Sequence, residues 1–220
     1  MNIIGDIAGQ YDTLMALLKK MPDEEVLSVG DMIDRGPQSK QVLEWFMKNG
    51  KAILGNHEHL MLNEIDEGDY YSRGMWQWNG GGATLDSFGA FNPAMLRGNP
   101  LINWVRGLPL FVKLDGALVS HSFIGFGQTL ETACDLGRGF AHGSDDAQSD
   151  RCILWNRGEP GRQMNDKDHI QIAGHNSQFG LRKFEDRNGT YAICIDDSRH
   201  DKLTGLHWPS MTIYQEDYHG

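Results

Sequence analysis

The sequence predicts an α/β protein in which two β-sheets pack against each other and helices cover them. Three observations support this prediction. Short apolar runs alternate with segments of helical periodicity from Asn2 to Ile65, strand-like runs dominate from Leu110 to Glu216, and glycine is abundant, with 27 of 220 residues. Alternation of this kind is typical of parallel strands joined by helices. We expect a single domain over residues 1–220.

Three strand–helix units form the first part of the chain. The runs NIIGD, EVLSVGD and KAILGN are short and apolar, and each ends at a polar residue beside a glycine. Residues 10–20 and the stretch from Pro37 to Gly50 repeat apolar residues at helical spacing, and a third helix is expected over HEHLMLNEI. These units predict parallel strands.

The rest of the chain favours strands. The segment YYSRGMWQWNGGGATLDSFG is rich in aromatic residues and glycine, and short helices are expected around Pro93–Leu96 and Leu101–Val105. The strand-like runs are LFVKLDGALVSH, HIQIAGH, GLRKFEDRNGTYAICID, KLTGLHW and SMTIYQE. Asn188-Gly189 between two of them is a hairpin signal, so we expect the late strands to pair mainly as hairpins.

Composition and charge argue against several classes of protein. The formal net charge of −10 repels duplex nucleic acid, and no apolar run approaches the ~20 residues that span a bilayer. Cys134, Cys152 and Cys194 are scattered, which suggests neither a disulfide framework nor a CxxC metal site. We expect a cytoplasmic protein without a signal peptide that binds neither duplex nucleic acid nor membranes. Its oligomeric state stays open.

Polar residues with oxygen or imidazole groups follow five strand-like runs. They are Asp6, Asp31, Asn56, His121 and His175. Functional groups of parallel sheets gather at the carboxyl ends of the strands. Carboxylate, amide and imidazole ligands without thiolate suit divalent cations. We expect two such cations, with Mn favoured over Fe, Zn, Ni, Co and Mg.

The stretches GDIAG, GDMIDRG, GNHE, SH and GH resemble the successive motifs of the metallophosphoesterase superfamily, in its phosphoprotein phosphatase branch. NGGGATLDSF, ILWNR, AGHN and CID further resemble the small bacterial and phage (lambda-type) serine/threonine phosphatases. The resemblance covers nearly the whole chain. It implies the calcineurin-like four-layer fold, with a dinuclear metal centre at one edge of a two-sheet sandwich, and a phosphoric monoester hydrolase activity.

The resemblance also implies a role for each site residue. Asp6 would bind the first metal, Asp31 would bridge both metals, and Asn56, His121 and His175 would hold the second. His57 would be the general acid oriented by Asp34, and Arg35 and Arg157 would hold the phosphoryl oxygens. Two cations ~3.5–4 Å apart lower the pKa of a bridging water, and the resulting hydroxide attacks phosphorus in line.

Ala8 stands where the first motif of the family carries a metal-binding histidine. A methyl group binds no cation, so we expect the first site to bind its metal more weakly. Changes in residues that only support the ligands typically cost ~10–100-fold in metal affinity or activity, and the loss of a ligand is expected to cost at least as much. Because the other motif residues are intact, we expect an inactivated or substrate-trapping variant. A natural pseudo-enzyme and an enzyme that works with one metal are the other interpretations.

Leu54 stands where lambda-type protein phosphatases carry an arginine before GNHE. The LGNH form also resembles the branch of bis(5′-nucleosyl)-tetraphosphatases and RNA-cap hydrolases. The substrate is therefore expected to be a phosphorylated protein or small aryl phosphate, with a nucleotide as the alternative and a phosphate-binding pseudo-phosphatase as a third hypothesis. Four aromatic residues could stack on a base, although core or lid packing is the favoured interpretation: Tyr70, Tyr71, Trp76 and Trp78.

Overall fold

Two five-stranded mixed sheets face each other in the computed structural model, which describes residues 1–66, 74–138, 151–161 and 169–219. The first sheet has the strand order β10-β9-β1-β2-β3. Its strands are β1 (Asn2–Ile4), β2 (Val26–Ser28), β3 (Lys51–Ala52), β9 (Lys202–His207) and β10 (Thr212–Asp217). The pairs β1–β2 and β2–β3 are parallel, as the alternation of strands and helices predicted.

The second sheet has the order β4-β5-β6-β8-β7. Its strands are β4 (Phe111–Leu114), β5 (Ala117–Ser120), β6 (Ile170–Ala173), β7 (Arg182–Asp186) and β8 (Gly189–Cys194). The predicted hairpins are confirmed for β4–β5, β7–β8 and, in the first sheet, β9–β10. The expectation that hairpins dominate is incomplete, because β5–β6 and β6–β8 are parallel pairs. The long connection from β5 to β6 makes a parallel pairing possible.

Side-chain alternation along the strands divides the core into layers. Ile3 of β1 faces the second sheet and packs with Val119 and Ile172, whereas Ile4 faces the helices with Leu14 and Phe46. Successive strand residues point to opposite faces, so one short strand contributes to two cores. The result is the predicted two-sheet sandwich with helices outside.

Six α-helices flank the sheets in the described ranges. They are α1 (Tyr11–Leu18), α2 (Ser39–Asn49), α3 (Asn56–Asp66), α4 (Gly82–Phe88), α5 (Pro100–Arg106) and α6 (Leu130–Arg138). A π-helical turn, Gln77–Gly81, precedes α4, and 3-10 turns cover Pro93–Leu96 and Ser198–His200. α2 begins two residues after the predicted start at Pro37, and α4 and α6 were not predicted. No helix of the described residues is long and apolar enough to cross a bilayer.

Candidate metal centre

Five strand ends bring polar side chains to one place at the edge of the sandwich. Asp6 follows β1, Asp31 follows β2 and Asn56 opens α3 after β3, while His121 and His175 follow β5 and β6 of the other sheet. The backbone N–H of His175 donates to both carboxylate oxygens of Asp6 at 3.1 Å, and His121 Nε2 lies 3.3 Å from Asp31 Oδ1. The structure thus brings together all five predicted ligands.

Two buried carboxylates form one side of this cluster. Asp6, Asp31 and His121 each offer a ligand atom, and these atoms lie within 4.8 Å of one another. Burial and the neighbouring carboxylates of Asp196 and Asp31 raise the pKa of Asp6 well above its ordinary value. Burial opposes ionisation of Asp31 too, but His121 and His57 outweigh it and lower the pKa of Asp31 to about 2. Asp31 therefore keeps its negative charge, whereas its surroundings favour the protonated form of Asp6.

The amide oxygen of Asn56 lies between two imidazoles on the other side of the cluster. Asn56 Oδ1 is 2.8 Å from His121 Nε2 and 2.8 Å from His175 Nδ1. Burial and the nearby His121 lower the pKa of His175 well below its ordinary value, so the ring is neutral. His175 Nε2 is buried and has no hydrogen-bond partner among the described residues. A neutral imidazole with an unsatisfied nitrogen is the form that binds metal ions.

Glycines of the motifs allow this close approach. A Cβ on Gly55, the glycine of GNHE, would collide with the backbone nitrogen and a carboxylate oxygen of Asp31. A Cβ on Gly174, the glycine of AGHN, would collide with Asp6 Oδ1. Both glycines are therefore required by the packing of the carboxylates against neighbouring loops.

The donor set fits divalent cations. Two carboxylates, an amide oxygen and two imidazoles meet without a thiolate, which is the combination that hard to intermediate divalent metals prefer. A bound cation would neutralise Asp6 and Asp31 and could satisfy the buried nitrogen of His175. Among the described residues, no side chain satisfies that nitrogen.

Ala8 lies beside the two carboxylates but contributes no ligand atom. Its residue is buried, its φ is 50°, and its N–H donates to the carbonyl of Asp31 at 2.9 Å. Its own carbonyl accepts from the N–H of Gly36 at 2.9 Å. The backbone of the first motif is therefore held in place. Because Ala8 supplies no ligand atom, the ligand atoms on this side of the centre are those of Asp6 and Asp31.

A histidine–aspartate pair lies next to the cluster. His57 Nδ1 is 2.6 Å from Asp34 Oδ2, and both residues are buried. Trp76 Nε1 donates to both oxygens of Asp34 at 2.9 Å, and Thr84 Oγ1 donates to Asp34 Oδ1 at 2.6 Å. Burial disfavours the charged imidazole, but Asp31 and Asp34 outweigh it and raise the pKa of His57. Trp76 and Thr84 thus hold the Asp34 carboxylate in one orientation toward His57.

The two predicted arginines lie on different sides of the centre. Arg35 is exposed at φ 63°, and its Nη2 donates to His57 Nε2 at 3.0 Å. Arg157 is also exposed, its charge contributes to lowering the pKa of His175 after the larger effects of burial and His121, and its carbonyl accepts from Asn176 Nδ2 at 2.7 Å. Both positive charges are close enough to act on the buried cluster.

Glu58 and Asp196 are buried acids for which no role was predicted. Glu58 accepts backbone N–H groups of Asp31, Met32 and Gly55 at 2.8–3.0 Å, so it holds the second motif against the third. Burial and Asp31 raise its pKa to about 8. Asp196 follows β8 and accepts from the N–H and hydroxyl of Ser198. Their signal in the sequence was their position in GNHE and CID.

Two of the predicted stacking residues have contrasting environments. Trp76 is fully buried against Asp34 and presents no face to a ligand, so its assignment as a stacking candidate is wrong. Trp78 is 93% exposed. Tyr70 and Tyr71 lie outside the described residues. The favoured interpretation, core packing, holds for Trp76.

Left-handed backbone conformations concentrate at the same place. Among the described residues, seven non-glycine positions have positive φ. Five of them are Ala8, Asp31, Asp34, Arg35 and His175. Residues in sparsely populated φ/ψ regions cost of order 1–3 kcal/mol each and cluster at functional sites. The local strain is therefore concentrated in the loops that carry the candidate site.

Comparison with known proteins identifies the family of the chain. The family model for calcineurin-like phosphoesterases matches residues 2–201. The chain belongs to the calcineurin-like phosphoesterase family. In this family context, it resembles the serine/threonine-protein phosphatase 2 of Escherichia coli (strain K12) with 39% identity over 88 residues, 36% of this chain and 37% of that protein.

The chain is also similar to enzymes named for a nucleotide substrate. The symmetrical bis(5′-nucleosyl)-tetraphosphatase of Vibrio vulnificus (strain CMCP6) is 32% identical over 139 residues, 60% of the chain and 47% of that protein. The chain thus spans half or less of the length of these two relatives. The crystal structure of a cold-active protein-tyrosine phosphatase from a psychrophilic Shewanella has a TM-score of 0.60 at 19% identity, covering 98% of this chain and 80% of that one, which supports the fold.

Proposed function

We propose that the chain is a metal-dependent phosphomonoesterase scaffold of the serine/threonine phosphatase type, with activity impaired by Ala8. The observation that carries the proposal is the meeting of five ligand residues beside the Asp34–His57 pair. The family match and the similarity to a serine/threonine-protein phosphatase support the same reaction class.

Two divalent cations, with Mn²⁺ as the first choice, would be held by the cluster. Asp6 would bind the first, Asp31 would be shared, and Asn56, His121 and His175 would bind the second. Such a pair supplies Lewis-acid charge and lowers the pKa of a water molecule that attacks phosphorus. No covalent intermediate with the protein is needed.

His57 is suited to protonate the leaving oxygen. Asp34 fixes Nδ1, which leaves Nε2 facing the cluster, 3.8 Å from Asp31 Oδ2, and the raised pKa of His57 favours the protonated ring that a general acid requires. In the structure Nε2 is 3.0 Å from Arg35 Nη2, a contact in which Nε2 accepts a hydrogen bond. A protonated ring cannot accept it, so protonation would free Arg35 to contact a phosphoryl oxygen.

Arg35 and Arg157 would neutralise the charge that grows on the phosphoryl group. The guanidinium fork matches the geometry of phosphate oxygens, and such hydrogen bonds are about twice as strong as neutral ones. Among the residues described, neither arginine forms an ion pair with a carboxylate within 4.0 Å. Both can therefore serve an anionic substrate.

A nucleotide is the second candidate substrate, and Leu54 favours it. The side chain of Leu54 packs into the hydrophobic core, and its N–H donates to the carbonyl of Pro109 at 2.8 Å, so no cation comes from this position. With one arginine fewer, binding energy must come from other parts of the ligand. Similarity to a bis(5′-nucleosyl)-tetraphosphatase supports this alternative to the same degree.

A substrate panel tests the proposal. The Ala8→His chain, supplied with Mn²⁺, is assayed on p-nitrophenyl phosphate, phosphopeptides and dinucleoside polyphosphates beside the unaltered chain. We expect the substitution to raise hydrolysis of the first two at least tenfold. A preference of more than tenfold for the polyphosphates would replace the first candidate by the second. No increase on any substrate would favour a phosphate-binding pseudo-phosphatase.

A further inference from the structure

A cleft adjoins the metal centre on the side of Ala8. Its volume is about 520 Å³, and Ala8, Arg35, Ser177, Arg199 and Tyr218 are among its lining residues. This volume lies within the range of small-molecule sites, ~300–1,000 Å³, and is far larger than one phosphoryl group needs. A phosphoryl group at the metal centre would leave most of this space to other parts of the substrate.

The cleft is continuous with the candidate centre. The hydroxyl of Tyr218 is 3.4 Å from the backbone carbonyl of Asp6, and Ala8 hydrogen-bonds to the backbone of Asp31. Arg35 lines the cleft and also contacts His57. A ligand that extends from the metal centre past Ala8 therefore enters this space.

The cleft offers unused positive charge. Arg199 is exposed, and within the described ranges no carboxylate lies within 4.0 Å of its guanidinium. Arg35 likewise has no ion pair there, whereas Asp201 is the one carboxylate among the lining residues that the structure describes. The protein as a whole carries a net charge of −10. Arg199 therefore offers a positive charge beside Arg35 of the candidate centre, and such charge at a cleft of an acidic protein indicates an anionic ligand.

The turn that carries Arg199 is held rigidly. Both the N–H and the hydroxyl of Ser198 donate to Asp196 Oδ1, at 3.1 and 2.7 Å, and His200 Nδ1 lies 2.6 Å from Asp197 Oδ1. These contacts fix the backbone on both sides of Arg199. Since the backbone on both sides of Arg199 is held before binding, the loss of conformational freedom on ligand binding is limited to the side chain.

Ser177 and Gln10 add neutral donors to the wall of the cleft. The side chain of Ser177 is half-buried, and its hydroxyl makes no hydrogen bond to another described residue. Gln10 also lies on the cleft wall, and its side-chain amide makes no hydrogen bond to another described residue. Phosphate oxygens accept hydrogen bonds from hydroxyl, amide and guanidinium groups alike.

We propose that this cleft is a second anion subsite, in which Arg199 holds a phosphoryl group of the substrate other than the one that is hydrolysed. The assignment of the first phosphoryl group to the metal centre rests on the proposed function. The ligand class is therefore a compound with two or more linked phosphates. A phosphomonoester would place its one phosphoryl group at the metal centre and leave Arg199 without a phosphoryl partner.

Binding of inorganic tripolyphosphate tests the subsite without any turnover. Titration calorimetry on chelator-treated protein at constant ionic strength compares tripolyphosphate with orthophosphate. We expect tripolyphosphate to bind at least ~10-fold more tightly, and Arg199→Gln to remove about 10-fold of its affinity, the size of one charge-assisted hydrogen bond. Arg199→Lys keeps the charge and is expected to retain part of this affinity.

Arg187→Gln is the matched control. Arg187 is exposed in the β7–β8 turn, at the end of β8 opposite the one that leads to Asp196 and Arg199. It removes the same charge from the protein and is expected to leave tripolyphosphate binding within about twofold, because a distant exposed charge is largely screened. Equal binding of the two anions, or equal effects of Arg199→Gln and Arg187→Gln, would overturn the subsite.

Failure of the subsite and failure of the proposed function give different results. If Ala8→His hydrolyses p-nitrophenyl phosphate but Arg199→Gln does not change tripolyphosphate affinity, the phosphatase proposal stands and the subsite is wrong. If tripolyphosphate binding depends on Arg199 while Ala8→His hydrolyses nothing, the anion subsite stands and the catalytic proposal is wrong.

Discussion

Thr84→Val measures how strongly the buried network holds Asp34. Thr84 Oγ1 donates to Asp34 Oδ1 at 2.6 Å, and both residues are fully buried. Valine has nearly the same shape, so the substitution leaves the packing and removes this charge-assisted hydrogen bond. It also removes the bonds, both 3.0 Å, that Thr84 Oγ1 makes with the N–H of Asp34 and with Ser39 Oγ. Charge-assisted bonds contribute ~1.5–3 kcal/mol, and the free energy of unfolding is expected to fall by that amount. The N–H of Asp34 keeps Ser39 Oγ as an acceptor at 3.0 Å.

The assay is urea unfolding of chelator-treated protein, with Thr190→Val as the control. Thr190 Oγ1 donates to the exposed carboxylate of Glu185 at 3.1 Å, so the same chemical change there is expected to cost less than ~0.5 kcal/mol. If Thr84→Val costs no more than Thr190→Val, Asp34 does not need this donor, and the reasoning about the network is refuted.

Three further predictions concern protonation and reactivity. Burial and Asp196 raise the pKa of Asp6, so we expect Mn²⁺ affinity to rise with pH and Mn²⁺ binding to release protons. Proton release is measured by calorimetry in two buffers of different ionisation enthalpy. No proton release would contradict this prediction. Burial raises the pKa of Cys152 from 9.0 to about 11, so at pH 8 the thiolate form of Cys152 is ~100-fold scarcer than that of a free thiol. Iodoacetamide is therefore expected to label Cys152 at least ~100-fold more slowly than a free thiol. Labelling at the rate of a free thiol would refute this prediction. In the Ala8→His background, His57→Ala is expected to slow an alkyl phosphate by ~10²–10⁴ and an aryl phosphate far less; equal slowing would argue against a general acid.

The positions of the candidate ligands could be predicted because each follows a strand. A buried apolar run that ends in a glycine turn and a polar residue is a local pattern, and parallel strands place their carboxyl ends at one edge. Asp6, Asp31 and Asn56 followed from this pattern in the first sheet. His121 and His175 followed from the same pattern at the ends of VSH and IAGH, although nothing local shows that the second sheet meets the first at that edge.

The residues that support the site could not be predicted because their roles depend on tertiary packing. Trp76 lies in an aromatic, glycine-rich segment, and only the fold decides that its indole N–H points at Asp34 rather than into solvent. Glu58 resembles any helical acid until the loop of Asp31–Ile33 is placed against it. Parallel pairing of β6 with β5 and β8 likewise follows from the long connection, not from a strand's own sequence.

The number of bound cations tests the central claim most directly. Elemental analysis is performed on this chain and on the Ala8→His protein after incubation with Mn²⁺ and extensive dialysis. We expect about two Mn per chain in the Ala8→His protein and about one or fewer in the unaltered chain, because the first site there has only Asp6 and Asp31. Equal metal content in the two proteins, or none in either, would contradict the metal centre described above.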